Sequence, residues 1–203
     1  MNVYFVRHGE TQAHYFDVID SPWGELSERG HDQSHHAGNV FKNVPLSRVY
    51  ISDLRRAQQT ASAILDHHHA LPVVMTKNLN ERNYGVFMGK PRSWFRDARN
   101  ASSVPYHEFR PTAGESIQDT YARVASFLDE EILPRRASSE TVLIASHCWA
   151  LAAMCSHLLR VPISKYQSFF HENTGITKFE INPHTVSMPV FNSTHHLAES
   201  RIY

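Results

Sequence analysis

The chain has 203 residues, 41% of them apolar, with 20 basic side chains balanced by 20 acidic ones. That length suits one domain with a substantial core. The zero net charge and the absence of a basic run exclude a surface built for nucleic acid or anionic membrane, either of which needs clustered Lys and Arg.

The first element is a strand, Asn2-Val3-Tyr4-Phe5-Val6, running straight into Arg7-His8-Gly9-Glu10-Thr11. In open α/β sheets ligands bind at the carboxyl ends of strands. An imidazole beside a guanidinium there suits a phosphoryl group: the ring nitrogen attacks phosphorus while the Arg fork holds two oxygens. His8 is therefore a candidate nucleophile. The apolar stretch before Arg7 is too short for a signal peptide, and nothing approaches the length of a membrane span, so a cytoplasmic location is expected.

Ser27 to Phe41 reads as a weakly amphipathic helix, and Arg48-Val49-Tyr50-Ile51 as a strand. Ser52 is the expected N-cap of a helix over 53–66, with Leu54, Ala57, Ala61, Ile64 and Leu65 on one face. Arg55 and Arg56 fall in its first turn, where the helix dipole favours an anion, and being adjacent only one of them faces inward. Pro72-Val73-Val74-Met75 reads as a short buried strand. The stretch from Asn78 to Gly85 has neither helical nor strand period and mixes charge with apolar residues, as functional loops do.

From Pro91 to Gly114 the composition shifts to Arg, Ser, Pro and aromatics, which suggests a lid-like excursion over the core with a short helix near 93–99. Gly114-Glu115-Ser116 starts the longest helix, carrying Tyr121, Val124, Leu128 and Ile132 on one face and ending at Pro134. Thr141-Val142-Leu143-Ile144-Ala145 is apolar throughout, as in a buried parallel strand, and ends in Ser146-His147 before an apolar helix from Cys148 to Leu159. Cys148 and Cys155 lie seven residues apart on that helix, roughly 10 Å along its axis, too far for a disulfide. Strands over 176–181 and 186–191, joined by the turn Asn182-Pro183-His184, close the chain. The runs His67-His68-His69 and His195-His196 read as solvated surface, since adjacent side chains diverge and make poor metal sets.

Alternating strands and helices imply an α/β fold, a three-layer α/β/α sandwich with a mostly parallel central sheet whose strand carboxyl ends share one edge. That edge receives Arg7, His8 and His147, with one of Arg55 and Arg56 able to turn toward it. Nearby cations favour a neutral His8, whose ring then keeps a lone pair, and they stabilise charge on a transferring phosphoryl group.

Arg7-His8-Gly9-Glu10-Thr11, the segment Ser52 to Ala61, the segment Leu79 to Gly85, Gly114-Glu115-Ser116 and Ser146-His147 occur in order, and together they resemble the histidine phosphatase superfamily, the phosphoglycerate mutase-like proteins. The resemblance implies a single domain, 1–203, with 90–114 as the lid-like excursion. It implies His8 as the phosphorylated nucleophile, Arg7, Arg56 and His147 as phosphate holders, and Glu81 as general acid and base. No metal and no cofactor are implied. His14 stands where the family has Asn assisting the phosphate, so it either replaces that contact or points away, and Cys148 stands where Gly commonly follows the second His. Glu115 is expected near the pocket rim. Arg82, with the basic and aromatic excursion, is a candidate for holding a second anionic group.

The span between the acidic loop and Gly114 is short beside that of the classical mutases, so water should reach the phosphohistidine. The expected activity is hydrolysis of a small phosphorylated metabolite of sugar phosphate or phosphoglycerate type, by the phosphatase branch. Mutase-type transfer and a weakly active phospho-ligand binder are the competing readings. The expected partner is the small substrate alone, with a homodimer left open.

Overall fold

A computed structural model describes residues 1–198; the last five residues of the expected domain lie outside the described residues. Six strands form one sheet in the order β3-β2-β4-β1-β5-β6, where β1 is Asn2–Arg7, β2 Arg48–Ser52, β3 Val73–Thr76, β4 Thr141–Ser146, β5 Ile176–Ile181 and β6 Val186–Ser193. The first four run parallel; β5 runs antiparallel to β1, and β6 antiparallel to β5. The register pairs Arg7 with Ser146 and Ile51 with Ala145, so β2, β4 and β1 deliver their carboxyl ends side by side.

Side-chain alternation sorts the core into two layers. On β4, Val142 and Ile144 face α5 (Ile117–Phe127) and α6 (Cys148–Leu158), joined by Val3 and Phe5 of β1. Leu143 and Ala145 face the other way, toward α2 (Glu28–Phe41) and α3 (Arg55–Leu65), with Val6, Val49 and Ile51. This is the expected three-layer α/β/α sandwich. α2 starts as its sequence predicts, Ser27 Oγ accepting from the Gly30 N–H.

Several local expectations are corrected. Helix α3 begins at Arg55 with Leu54 as its N-cap and no side-chain cap; the Ser52 hydroxyl is drawn instead into bonds with Asn80 and His147. The strand around Val73 exists but is not buried: Met75 is 62% exposed, because β3 is the sheet's edge and pairs with β2 alone. The predicted longest helix stops being α-helical at Phe127, passes through a π-helical turn, Leu128–Ile132, and ends in a 3₁₀ turn, Leu133–Arg135. Leu128 and Ile132 stay in the core through that change.

The excursion over 90–114 carries α4 (Arg92–Asn100) and forms a third apolar cluster, in which Phe95, Tyr84 and Ile19 are buried with Tyr106, Phe109 and Trp149 packed around them. Its main chain is stitched to the loop beyond the short α1 (Gln12–Tyr15): Ile19 N donates to Lys90 O and Arg92 N to Asp17 O. Gly85 has φ +55° and lies so close to this segment that an added Cβ would meet Thr112 O at 2.0 Å. Among the described residues no helix is long and apolar enough to cross a membrane.

Candidate active site

A cavity of about 1360 Å³ opens at the carboxyl edge of the sheet, and Arg7, His8, Arg56 and Glu81 line it. His147 lies fully buried beside it, its ring centroid 4.9 Å from that of His8.

His8 follows the last residue of β1 and is 3% exposed. Its Nδ1–H donates to the Gly9 carbonyl at 2.7 Å, which leaves the ring's lone pair on Nε2. The main chain here is held closely: Gly9 N donates to Thr60 Oγ1, Asn173 Nδ2 donates to the His8 carbonyl, and a Cβ on Gly9 would meet Gly30 O at 2.4 Å. Burial, then the charges of Arg56, His147 and Arg7, push the His8 pKa well below its ordinary value, so the ring is neutral.

His147 precedes α6. Its Nε2–H donates to Ser52 Oγ at 2.8 Å, and Ser52 Oγ–H donates on to Asn80. Burial first and then Arg56 and Arg7 hold its pKa well below the usual value. Its Nδ1 is buried without a hydrogen-bond partner, as are Nε of Arg7 and Nε of Arg56. Buried polar atoms are rarely left this way unless a ligand or water completes them. Three such atoms on a cation-rich cradle fit an oxyanion.

Arg56 is inward, 3% exposed, and donates to Ser21 O, whereas its neighbour Arg55 pairs with Glu25 at the surface. Arg7 is gripped from two sides: Nη1 donates to the His171 carbonyl at 2.6 Å and Nη2 to His14 Nε2 at 2.9 Å. His14 thus points toward the site but acts on Arg7. Its Nδ1–H donates to Thr11 Oγ1, whose own proton goes to Asp20. Burial and then Arg7 lower the His14 pKa to about 4, so it remains an acceptor.

Glu81 accepts the main-chain N–H of Arg82 at 2.9 Å and that of Trp149, in the first turn of α6, at 3.1 Å. Desolvation raises its pKa against the lowering pull of those N–H groups and Arg56. Desolvation thus favours the protonated form of this carboxyl, the form that can donate to a leaving oxygen.

Arg82 lines the cavity, with most of its guanidinium engaged by the protein itself. It is 2% exposed, bonded to the carbonyls of Glu115 and Phe109, with its guanidinium 5.1–5.8 Å from the ring centroids of Phe95, Tyr84, Trp149 and Tyr106. Charge-ring contact and two carbonyls make it the anchor of the excursion. Glu115 lines the cavity and is held by Arg123 through two nitrogens. The Cys148 thiol is pushed up by burial, away from thiolate chemistry. The sequence assigns no role at the site to Thr11, Asp20, Ser52, Asn80 or His171. Their types are ordinary in loops and at strand ends, and only the fold brings them behind the charged residues.

Fold and cradle together place a pocket of histidine and arginine, fit for an oxyanion, at the carboxyl edge of an α/β sheet. The profile of the histidine phosphatase superfamily, branch 1, matches residues 3–194. The chain belongs to that superfamily and so stands among phosphoric monoester hydrolases and related phosphoryl-transfer enzymes. It is 34% identical over 131 residues to fructose-2,6-bisphosphatase TIGAR B of Danio rerio, a match covering 61% of this chain and 50% of that protein. The matched part therefore spans half the length of that relative. It is 35% identical over 160 residues to a 2,3-bisphosphoglycerate-dependent phosphoglycerate mutase of Methylorubrum extorquens, covering 73% of this chain and 74% of the mutase. Among solved structures, the alpha-ribazole phosphatase of Shigella flexneri superposes with a TM-score of 0.86 at 28% identity, over 96% of this chain and 97% of the other.

Proposed function

We propose that the protein is a phosphatase that hydrolyses a small phosphorylated metabolite through a phosphohistidine on His8. The observation that carries this reading is the locked His8 ring, its Nε2 lone pair free beside three unpartnered cradle atoms on Arg7, Arg56 and His147. Nε2 attacks phosphorus, and the bond from phosphorus to the ester oxygen breaks as Glu81 gives that oxygen its proton. Water then attacks the phosphohistidine, Glu81 takes the water's proton, and the bonding pair returns to His8 Nε2. Arg7 and Arg56 offset the charge on the phosphoryl oxygens, the dominant need of the reaction. A phosphate dianion against His147 favours its imidazolium, so Nδ1 gains a proton and donates to an oxygen while Nε2–H stays on Ser52. The arginines supply positive charge that many phosphatases take from metal ions.

The mutase relative favours a second reading on the same chemistry, transfer of the phosphoryl group to another hydroxyl in place of water. One experiment addresses both. The protein is incubated with phosphomonoesters near pH 6 to 7, free phosphate is followed, and acid-labile, base-stable phosphate on the chain is mapped. The phosphatase reading expects release, an adduct on His8, no adduct and no turnover in His8→Ala, and a kcat lowered about 10²–10⁴-fold in Glu81→Gln. An adduct that passes to an acceptor hydroxyl without net phosphate release establishes the mutase. Absence of both adduct and release overturns the enzyme reading.

A further inference from the structure

Outward from the phosphoryl cradle, the cavity changes character. On the side of Glu81 its wall carries two rings: Trp149, whose main chain bonds the carboxyl, meets Phe170 edge to face with centroids 4.8 Å apart, and the buried Tyr166 packs 5.0 Å from Trp149 without lining the cavity. Tyr84 and Met88 extend this wall. Trp23 lines the same cavity yet is 82% exposed, a large apolar side chain with little of its own protein to cover it. The leaving alcohol must lie on this side, because Glu81 is the group that protonates its oxygen.

The charges on the same lining are mostly answered within the protein. Arg92 pairs with Asp17, Arg123 grips Glu115, Arg55 pairs with Glu25, and Arg82 is sealed under its rings. Asp17, Asp20 and Asp53 face the cavity as well. Among the described lining arginines, only Arg7 and Arg56 lack both a carboxylate bond and a ring cage, and both are at the phosphoryl end. Lys77 is exposed, where a single ammonium attracts weakly. A second phosphate or a carboxylate in the outer cavity would meet mostly carboxylates and paired cations.

We infer that the cavity selects phosphomonoesters whose alcohol carries an uncharged aromatic ring, seated between Trp23 and the Trp149 wall, over bisphosphates and phosphoglycerates. This departs from the expectation of a sugar phosphate or phosphoglycerate, and it rests on the phosphatase reading for the position of the reacting group. Ring stacking and the burial of an apolar face supply the preference.

Benzyl and methyl phosphate test it, since their alcohols are of like acidity and differ in the ring. The measured quantity is kcat/KM on both, alongside 3-phosphoglycerate and fructose 2,6-bisphosphate. Benzyl phosphate is expected to exceed each of the others by about tenfold or more, the size of one good aromatic contact. Trp23→Ala, which removes an exposed side chain and leaves the core untouched, is expected to cut the benzyl-to-methyl ratio several-fold. Binding of the two esters to His8→Ala, by calorimetry, separates this inference from the phosphatase reading. If no ester is turned over but His8→Ala binds benzyl phosphate the more tightly, the ring subsite stands and the phosphatase reading falls. Equal binding of the two esters, or higher kcat/KM for either anionic substrate, overturns the ring subsite.

Discussion

His14 works as an imidazole that must stay uncharged. It accepts from Arg7 through Nε2 and passes its Nδ1 proton to Thr11, which bonds Asp20, so the carboxylate orients the ring through a hydroxyl. A proton on Nε2 would turn the bond to Arg7 into a repulsion. Burial and Arg7 itself prevent that by holding the pKa near 4. A hydrogen bond from a charged donor contributes about 1.5–3 kcal/mol, so His14→Ala is expected to raise KM about tenfold or more with a smaller effect on kcat. His14→Asn should recover most of the loss, because an amide oxygen accepts from Arg7 as Nε2 does. Steady-state kinetics of the two variants check this, and equal KM for wild type and His14→Ala rules the role out. The sequence exposes His14 as a departure from the family pattern, but not its direction. That direction depends on Thr11 and Asp20, nine residues apart and joined through side chains.

At the level of elements, Arg82 decides whether the excursion over 90–114 stays docked. It lies buried among rings from three separate segments and fills carbonyls of Glu115 and Phe109, while its Nη1 is buried without a partner. Reading it from sequence as an anion holder was reasonable, because charge next to a catalytic Glu and a basic excursion is how such a subsite looks. The aromatic residues that enclose it are separated from it by up to 67 positions, and no local period reveals that they converge. The same limit explains β3: four β-type residues read alike at the centre or the edge of a sheet, and only strand order distinguishes them. Strands that end in chemistry-bearing residues were legible, since β1 and β4 combine an apolar run with an abrupt Arg-His or Ser-His. Arg82→Ala leaves two buried carbonyls unpaired and a cavity under the rings, costing about 2–4 kcal/mol. Denaturant unfolding should show that loss, and limited proteolysis should cut within 90–114 well before the rest of the chain. Cleavage at wild-type rates would mean that the excursion is held without Arg82.

For the molecule as a whole, putting several neutral histidines under one sheet edge links stability to pH. His8, His147 and His171 are all buried, and burial, with the arginines around the cradle, depresses the pKa of each, that of His171 to about 4. Folded, these rings resist protonation; unfolded, they take up protons at the ordinary histidine value of 6.5. Between those values the unfolded chain binds more protons than the folded one, so stability rises with pH there. Their contribution is present in full above about pH 6.5 and is lost as pH falls toward 4, with a limiting slope of about 1.4 kcal/mol per pH unit for each ring. The ligand reverses part of this dependence: a phosphate dianion favours imidazolium at His147, so binding carries a proton into the site. Unfolding free energy without phosphate is therefore expected to fall steeply from pH 7 to 5, and saturating phosphate should flatten the curve. His171→Gln should also flatten it, by up to one ring's share, because an amide has no proton to gain. Chemical denaturation at several pH values, with and without phosphate, measures both effects. A phosphate-free curve that is level across this range would mean that the buried rings take up protons alike in the folded and unfolded chain, so the fold would not hold His8 neutral below its ordinary value.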